Sequence, residues 1–395
     1  MTPTNQDVTA RAEILPDRRV FPEGLALARP RVAEPQQVAR DVTKILESGV
    51  LTNGPYVRRL EEQVEDYVGV KHCIAVASCT AGLMLVLRAK QLTGDVILPS
   101  FTFAATAHAV AWNGLRPVFV DIDPVSLTLS PDSVRAALGM RTAAILGTHT
   151  FGTPCDIRSL SDLALRHGVS LLFDAAHAFG SRYRDRQVGR FGHAEVFSMS
   201  ATKLLIAGEG GLITTNDDIL AQRCRIGRDY GNPGDYDCRF VGLNARLSEV
   251  HAATALASFV DIEERIAARN AIADAYKAAL RDLPGITFPE VKKEDRSTYK
   301  DFTILVEPED FGLDAAAIGA SLGAAGIETR RYYAPPVHAQ SAYAGVTPVG
   351  ASLEVTNRMA ARVLTLPLWV GMTEDHVAGV FEALVRIRRA AARKN

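Results

Sequence analysis

Val169-Ser170-Leu171-Leu172-Phe173-Asp174 is a short, almost wholly apolar run closed by an acid. A run of this length and composition reads as a strand buried on both faces of a sheet. It follows a helix-length segment at 157–167, and the same alternation recurs through the first half of the chain. Strands are expected at 73–77, 96–99, 117–120, 143–146, 169–173, 196–198 and 211–214, with helices at 81–90, 104–112, 132–138 and 157–167. Alternating strands and helices demand crossover connections. The fold class expected is therefore α/β, with a mostly parallel seven-stranded sheet covered on both faces. Open sheets of this type bind ligands beyond the carboxyl ends of their strands. Ser78, Asp121 and Asp174 each follow a strand directly and are expected to face one crevice.

Outward from this centre, Val38, Val42, Ile45 and Leu46 are spaced for an amphipathic helix that Ser48-Gly49 ends. One long helical stretch is expected at 246–280. After Pro284-Gly285 the pattern changes to a strand near 302–306, a helix near 315–325 and a last helix at 374–391. With 395 residues the chain is too long for one simple core. The division expected is a loosely held, polar tail at 1–30, a large α/β domain at 31–255, and a smaller C-terminal α+β domain at 256–395.

Bulk composition excludes several classes of partner. The 44 basic and 45 acidic residues leave a net charge of −1, with no global field for nucleic acid or a membrane surface. No apolar run approaches the roughly 18 to 20 residues of a membrane helix. Residues 1–7 lack the basic-then-apolar pattern of a signal peptide. Five cysteines with no CxxC pair give neither a disulfide framework nor a zinc pattern, which suits a reducing cytosol. A cytoplasmic location is expected.

Chemistry concentrates around Lys203, in Phe197-Ser198-Met199-Ser200-Ala201-Thr202-Lys203, followed by the turn Ala207-Gly208-Glu209-Gly210-Gly211. Most lysines are solvated surface charges. Here Met199, Ala201, Leu204, Leu205 and Ile206 would partly desolvate the ammonium, lowering its pKa and making it a usable nucleophile and proton carrier. Asp174 is either a cap for the next helix or a carboxylate for a ring nitrogen, with His177 beside it. Ser78-Cys79-Thr80-Ala81-Gly82 leaves a strand and opens a helix, which makes either a plain cap or a phosphate cradle. Ser198 is a second candidate donor to a phosphate. Phe103 either stacks on an aromatic ring or fills core.

A lysine for a Schiff base, a carboxylate for a ring nitrogen and donors for a phosphate are together the requirements of pyridoxal phosphate (PLP). A metal site built from Asp174, His177 and His149 lacks tight ligand spacing, so none is expected. A nicotinamide site lacks its glycine fingerprint, since 77–82 holds a single glycine.

The ordered stretches 78–81, 99–106, 117–124, 174–177, 197–211 and 242–249 resemble the PLP-dependent aminotransferases of fold type I. The resemblance is greater to the DegT-type nucleotide-sugar aminotransferases and runs from about residue 51 to about 338. It implies that Lys203 carries PLP as a Schiff base and that Asp174 pairs with the pyridine nitrogen. It further implies that Phe103 stacks on the ring and that Thr80, Ala81 and Ser198 hold the phosphate. Asn244 matches a position that reaches the phosphate from a partner subunit, implying a homodimer with shared active sites. The stretch 332–338 is similar to a loop lining the sugar pocket, which makes Tyr332 and His338 substrate-binding candidates; a proline-rich surface loop is the other reading.

The chain departs from the family pattern at four positions. Cys79 stands for a common glycine, Phe173 for a glutamate, His177 for a glutamine and Leu204 for an asparagine. The last two lie near the cofactor and bear on its tuning. A related branch replaces the lysine by histidine and dehydrates its substrate; Lys203 argues against it here. The activity implied is transfer of an amino group from glutamate to a nucleotide-activated keto-sugar, at C4 of a dTDP-4-keto-6-deoxyhexose. C3-amination of a dTDP-3-keto-6-deoxyhexose and a non-catalytic PLP-binding regulator are the alternatives.

Overall fold

The computed structural model describes residues 20–346 and 353–393. The first of its sheets contains β1 (His72–Val76), β2 (Asp95–Pro99), β3 (Arg116–Val120), β4 (Thr142–Thr148) and β5 (Ser170–Asp174). After the small hairpin β6 (Arg182–Tyr183) and β7 (Arg186–Gln187), it is completed by β8 (Ala194–Ser198) and β9 (Gly211–Thr215). The order is β1-β9-β8-β5-β4-β2-β3, and only β9 runs against the rest.

The register decides where the site falls. Val76 and Ser198 both pair with Gly211, and Thr148 pairs with Asp174. The carboxyl ends of β1, β8, β5 and β4 therefore meet at one edge beside the amino end of β9. Gly211 is required there by close approach: a Cβ would stand 2.6 Å from the backbone of Ser78 and Cys79.

Helices Cys79–Ala89, Ala104–Trp112 and Ile157–His167 are found, and their apolar faces join the buried strands in cores on both sides of the sheet. The long helical stretch divides into Glu249–Phe259 and Ile262–Leu280, with Val260 and Asp261 between them. Helix Pro55–Val68 was not among the expected elements, although Val57, Leu60, Val64 and Val68 recur at helical spacing between Pro55 and Gly69; its cap comes from elsewhere. The Glu249 carboxylate accepts the N–H groups of Gly54, Tyr56 and Val57 at 2.8 to 2.9 Å. A side chain nearly two hundred residues away thus satisfies the orphan donors of that helix start.

A second sheet, β10 (Ile286–Thr287), β11 (Phe302–Val306) and β12 (Val363–Leu366), is antiparallel in that order. Helices Ala315–Ala324 and Glu374–Ala392 share a core with it.

The loosely held tail expected at 1–30 is corrected for its second part; residues 1–19 lie outside the described residues. Leu25 is buried and bridges Ile327, its N–H donating to Gly326 O at 2.7 Å. Trp369 Nε1 donates to Ala26 O, and Phe21 packs on the same core. The stretch 20–30 is short and aperiodic, and its anchors are backbone bonds with Phe21 and Leu25, so no helix or strand pattern announces them.

Candidate active site

Lys203 lies in the loop between β8 and β9, and backbone bonds fold that loop tightly. Lys203 N donates to Ser200 O, Ala207 N to Met199 O and Met199 N to Gly210 O. The far side is clamped as well: Arg265 Nη1 donates to Leu204 O, and Ile206 N donates to Ser258 Oγ. The side chain therefore projects from a fixed backbone into a cavity of about 360 Å³. Burial, and then the nearby Lys300 ammonium, lower its pKa from 10.5 to about 8, against the opposing pull of Asp301, Cys79 and Asp174.

Asp174 enters the same cavity from the end of β5. Thr106 Oγ1 donates to its Oδ2 at 2.7 Å and Ala176 N donates to its Oδ1 at 3.0 Å. Thr106 is held in turn by Thr102, which also meets Thr148. Burial raises the Asp174 pKa despite these donors. The carboxylate is thus fixed in place and short of positive partners. His177 is kept neutral: burial, then the charges of Lys203 and Lys300, push its pKa well below 6.5.

The cavity gathers Thr80, Phe103, Asp174, His177, Ser198, Lys203 and Tyr332 from distant parts of the chain. Phe103 is 64% exposed although it caps helix Ala104–Trp112 at a concave wall, so its ring offers a bare apolar face to whatever enters. Three of the anticipated residues do not line it. Ala81 has its N–H taken by Ser78 Oγ at 3.1 Å, so the helix cap is present in this loop, while Thr80 beside it faces the cavity. Asn244 is exposed and accepts from Arg246 Nη2. His338 is turned to the end of β2, where its Nδ1 lies 2.6 Å from Ser100 Oγ and its N–H donates to the same oxygen.

Asp121 is also redirected. Its carboxylate accepts from Val355 N, Thr356 N and Thr356 Oγ1, capping helix Glu354–Arg362 outside the cavity. His149 belongs to a buried structural cluster: Cys155 N donates to its Nδ1, so the ring proton sits on Nε2, 3.0 Å from Glu195 Oε2. No group of three metal-ligating residues occurs among the described residues.

Sequence reasoning missed Lys300, Asp301, Tyr333, Ser200 and Thr106. Thr106 lies inside the family-like stretch 99–106, but its role needs Asp174 in view. Lys300 and Asp301 precede β11 and reach the cavity only through the folding of the C-terminal part. Lys300 Nζ donates to Asp301 Oδ1 at 2.7 Å, and both side chains are largely buried.

The pattern of the DegT/DnrJ/EryC1/StrS aminotransferase family matches residues 33–385. The chain is a member of that family. Among its relatives, the dTDP-3-amino-3,4,6-trideoxy-alpha-D-glucose transaminase of Streptomyces venezuelae is 34% identical over 87% of this chain and 90% of that protein. The dTDP-4-amino-4,6-dideoxy-D-glucose transaminase of Escherichia coli is 30% identical over 91% and 98%. The crystal structure of DesI in the presence of its TDP-sugar product superposes with a TM-score of 0.91 at 36% identity, covering 98% of this chain and 99% of that one.

This DegT-family protein is accordingly a sugar aminotransferase, and its cofactor is PLP. The residues present fit that group. An amine of lowered pKa, a fixed carboxylate short of positive partners, the bare Phe103 face and the Thr80, Ser198 and Ser200 hydroxyls share one cavity. No helix among the described residues is long and apolar enough to cross a membrane.

Proposed function

We propose that this aminotransferase moves an amino group from L-glutamate to a nucleotide-activated keto-sugar, at C4 of a dTDP-4-keto-6-deoxyhexose. The observation that carries the reading is the meeting of Lys203 and Asp174 in one cavity of about 360 Å³. The name of the E. coli relative supports C4, and that of the S. venezuelae relative keeps C3 as the competing position.

Bound PLP supplies an electron sink for the carbon that loses its proton. The Asp174 carboxylate would hold the pyridine nitrogen in its protonated form. Lys203 Nζ would take that proton and give it up again on the far side of the transferred nitrogen, which requires both protonation states near neutral pH; a pKa of about 8 meets the requirement. Phe103 would cover the ring, and neutral His177 would donate near its phenolic oxygen. Thr80, Ser198 and the N–H groups opening helix Cys79–Ala89 would hold the phosphate.

The site would lie where a large domain at 31–255 meets a small one at 256–395, with Lys300 and Asp301 contributed by the latter. We further read the protein as a cytoplasmic homodimer with shared active sites. That Asn244 is exposed and lies outside its own chain's cavity supports a role for it in a neighbour's site. All five cysteines are free.

The test incubates the enzyme with glutamate and either dTDP-4-keto- or dTDP-3-keto-6-deoxyhexose, with mass and NMR analysis of the product. Amination of the 4-keto sugar is expected. Amination of the 3-keto sugar alone would overturn the position, and no amination with 2-oxoglutarate release would overturn the substrate class. Lys203→Ala should lose turnover and the cofactor's visible absorbance with an unchanged far-UV circular dichroism spectrum. Normal transamination by that variant would refute the assignment of Lys203.

A further inference from the structure

Lys203 also lines a second cleft of about 40 Å³. The two share Thr202, Lys203, Lys300 and Asp301, so they adjoin at these residues. The cleft walls carry five permanent cations, Arg29, Arg31, Arg265, Arg269 and Lys300, and a single acid, Asp301.

These charges are unequally satisfied. Lys300 is paired with Asp301. Arg269 spends its donors on the carbonyls of Thr298, Tyr299 and Lys300, and Arg265 on Leu204 O, Ser258 O and Asp261. Carbonyls satisfy donors but do not cancel charge. Arg31 stands close enough to Arg265 for the two to repel, and Arg265 and Arg269 repel likewise. Arg29 lies over the Trp369 ring at 4.4 Å. Among the described residues neither Arg29 nor Arg31 has a carboxylate partner. Their guanidinium forks are therefore free at the mouth of a cationic, partly enclosed cleft, an arrangement that concentrates anions and suits a carboxylate.

Size and lining narrow the ligand. A space of about 40 Å³ holds a carboxylate but not a pyrophosphate with its nucleoside. Ile206, Leu366 and Leu368 give apolar walls for methylene groups. The cleft ends at Lys203, and in an α-amino acid the α-carboxylate is one bond from the carbon whose proton Lys203 would take. We propose that this cleft seats the carboxylate of the amino donor, with Arg31 as its principal contact and Arg29 beside it. The keto-sugar would use only the larger cavity. This inference rests on the reading of an acidic amino donor, and it accounts for how one lysine serves two substrates of unlike shape and charge.

Two measurements test it on the PLP-loaded enzyme. Glutarate, which lacks the reacting amine, is titrated by calorimetry into wild type, Arg31→Ala, Arg31→Lys and Arg29→Ala/Arg31→Ala. KM is measured for the donor and for the keto-sugar separately. Loss of a charge-assisted fork predicts at least a tenfold weaker glutarate affinity and a tenfold higher donor KM in Arg31→Ala. Lysine should restore part of the loss, and the sugar KM should stay within twofold. Unchanged donor KM and glutarate affinity in the double variant would overturn the proposal, as would an equal rise in both KM values. The donor used is whichever amino acid wild type deaminates fastest. If that is not glutamate, the donor reading fails, while the Arg31 comparison still decides the cleft.

Discussion

Replacing Lys203 by Met should stabilise the cofactor-free protein while destroying its chemistry. Met keeps the length of the side chain and removes its titration. The lysine's pKa falls from 10.5 in the unfolded chain to about 8 in the fold, chiefly through burial. At about 1.36 kcal/mol for each pH unit, that gap corresponds to a cost of about 3 kcal/mol. Between pH 8 and 10.5 the unfolded chain binds a proton that the folded one does not, so wild-type stability climbs with pH across this window. Below it both states are protonated and the whole cost is present. The advantage of Lys203→Met should therefore be about 3 kcal/mol at pH 7 and shrink to about 1.4 kcal/mol at pH 9.5. Denaturant unfolding of cofactor-free wild type and variant at the two pH values measures it. A gain that does not shrink with pH would assign the effect to methionine packing, and a loss at pH 7 would refute the buried-charge argument altogether.

Four further outcomes follow from named contacts. Thr106→Val removes a donor from the Asp174 carboxylate at nearly constant shape; with about 1.5 to 3 kcal/mol at stake, PLP affinity should fall roughly tenfold or more by cofactor titration. Gly211→Ala puts a Cβ against the Ser78–Cys79 backbone and should cost about 1 to 3 kcal/mol in denaturation together with retained cofactor. His177→Gln exchanges one neutral donor for another, so the pH–rate profile between pH 6 and 9 should keep its shape; a displaced acid limb would show that His177 titrates there. Asp121→Ala strands the Val355 and Thr356 donors and should cost about 1 to 3 kcal/mol by chemical unfolding without changing the cofactor's absorbance.

Much of the large sheet was legible because its strands are buried on both faces. Burial of that kind writes itself into sequence as short apolar runs, and all seven strands lie within a few residues of the runs that announced them. Helix Pro55–Val68 was legible but unread, since Val57, Leu60, Val64 and Val68 recur at helical spacing between Pro55 and Gly69; what the sequence hides is that Glu249 caps it and that backbone bonds anchor Leu25. Asp121 shows the converse failure. A carboxylate after a strand can serve a crevice or a helix cap, and only the placement of helix Glu354–Arg362 decides between them.

By itself the sequence determined the kinds of groups available: a lysine in an apolar loop, an acid closing a buried strand, hydroxyls opening a helix. These follow from residue type and near neighbours, which is all that local patterning encodes. Tertiary structure decided which groups meet and with what charge. It brought Lys300 and Asp301 from the C-terminal part to the Lys203 amine, set that amine's pKa near 8, and ranged Arg29 and Arg31 in an adjoining cleft. The reason is physical. A pKa and an electrostatic field are sums over neighbours in space, and for Lys203 the charges that act most strongly, Lys300 and Asp301, lie about a hundred residues away along the chain.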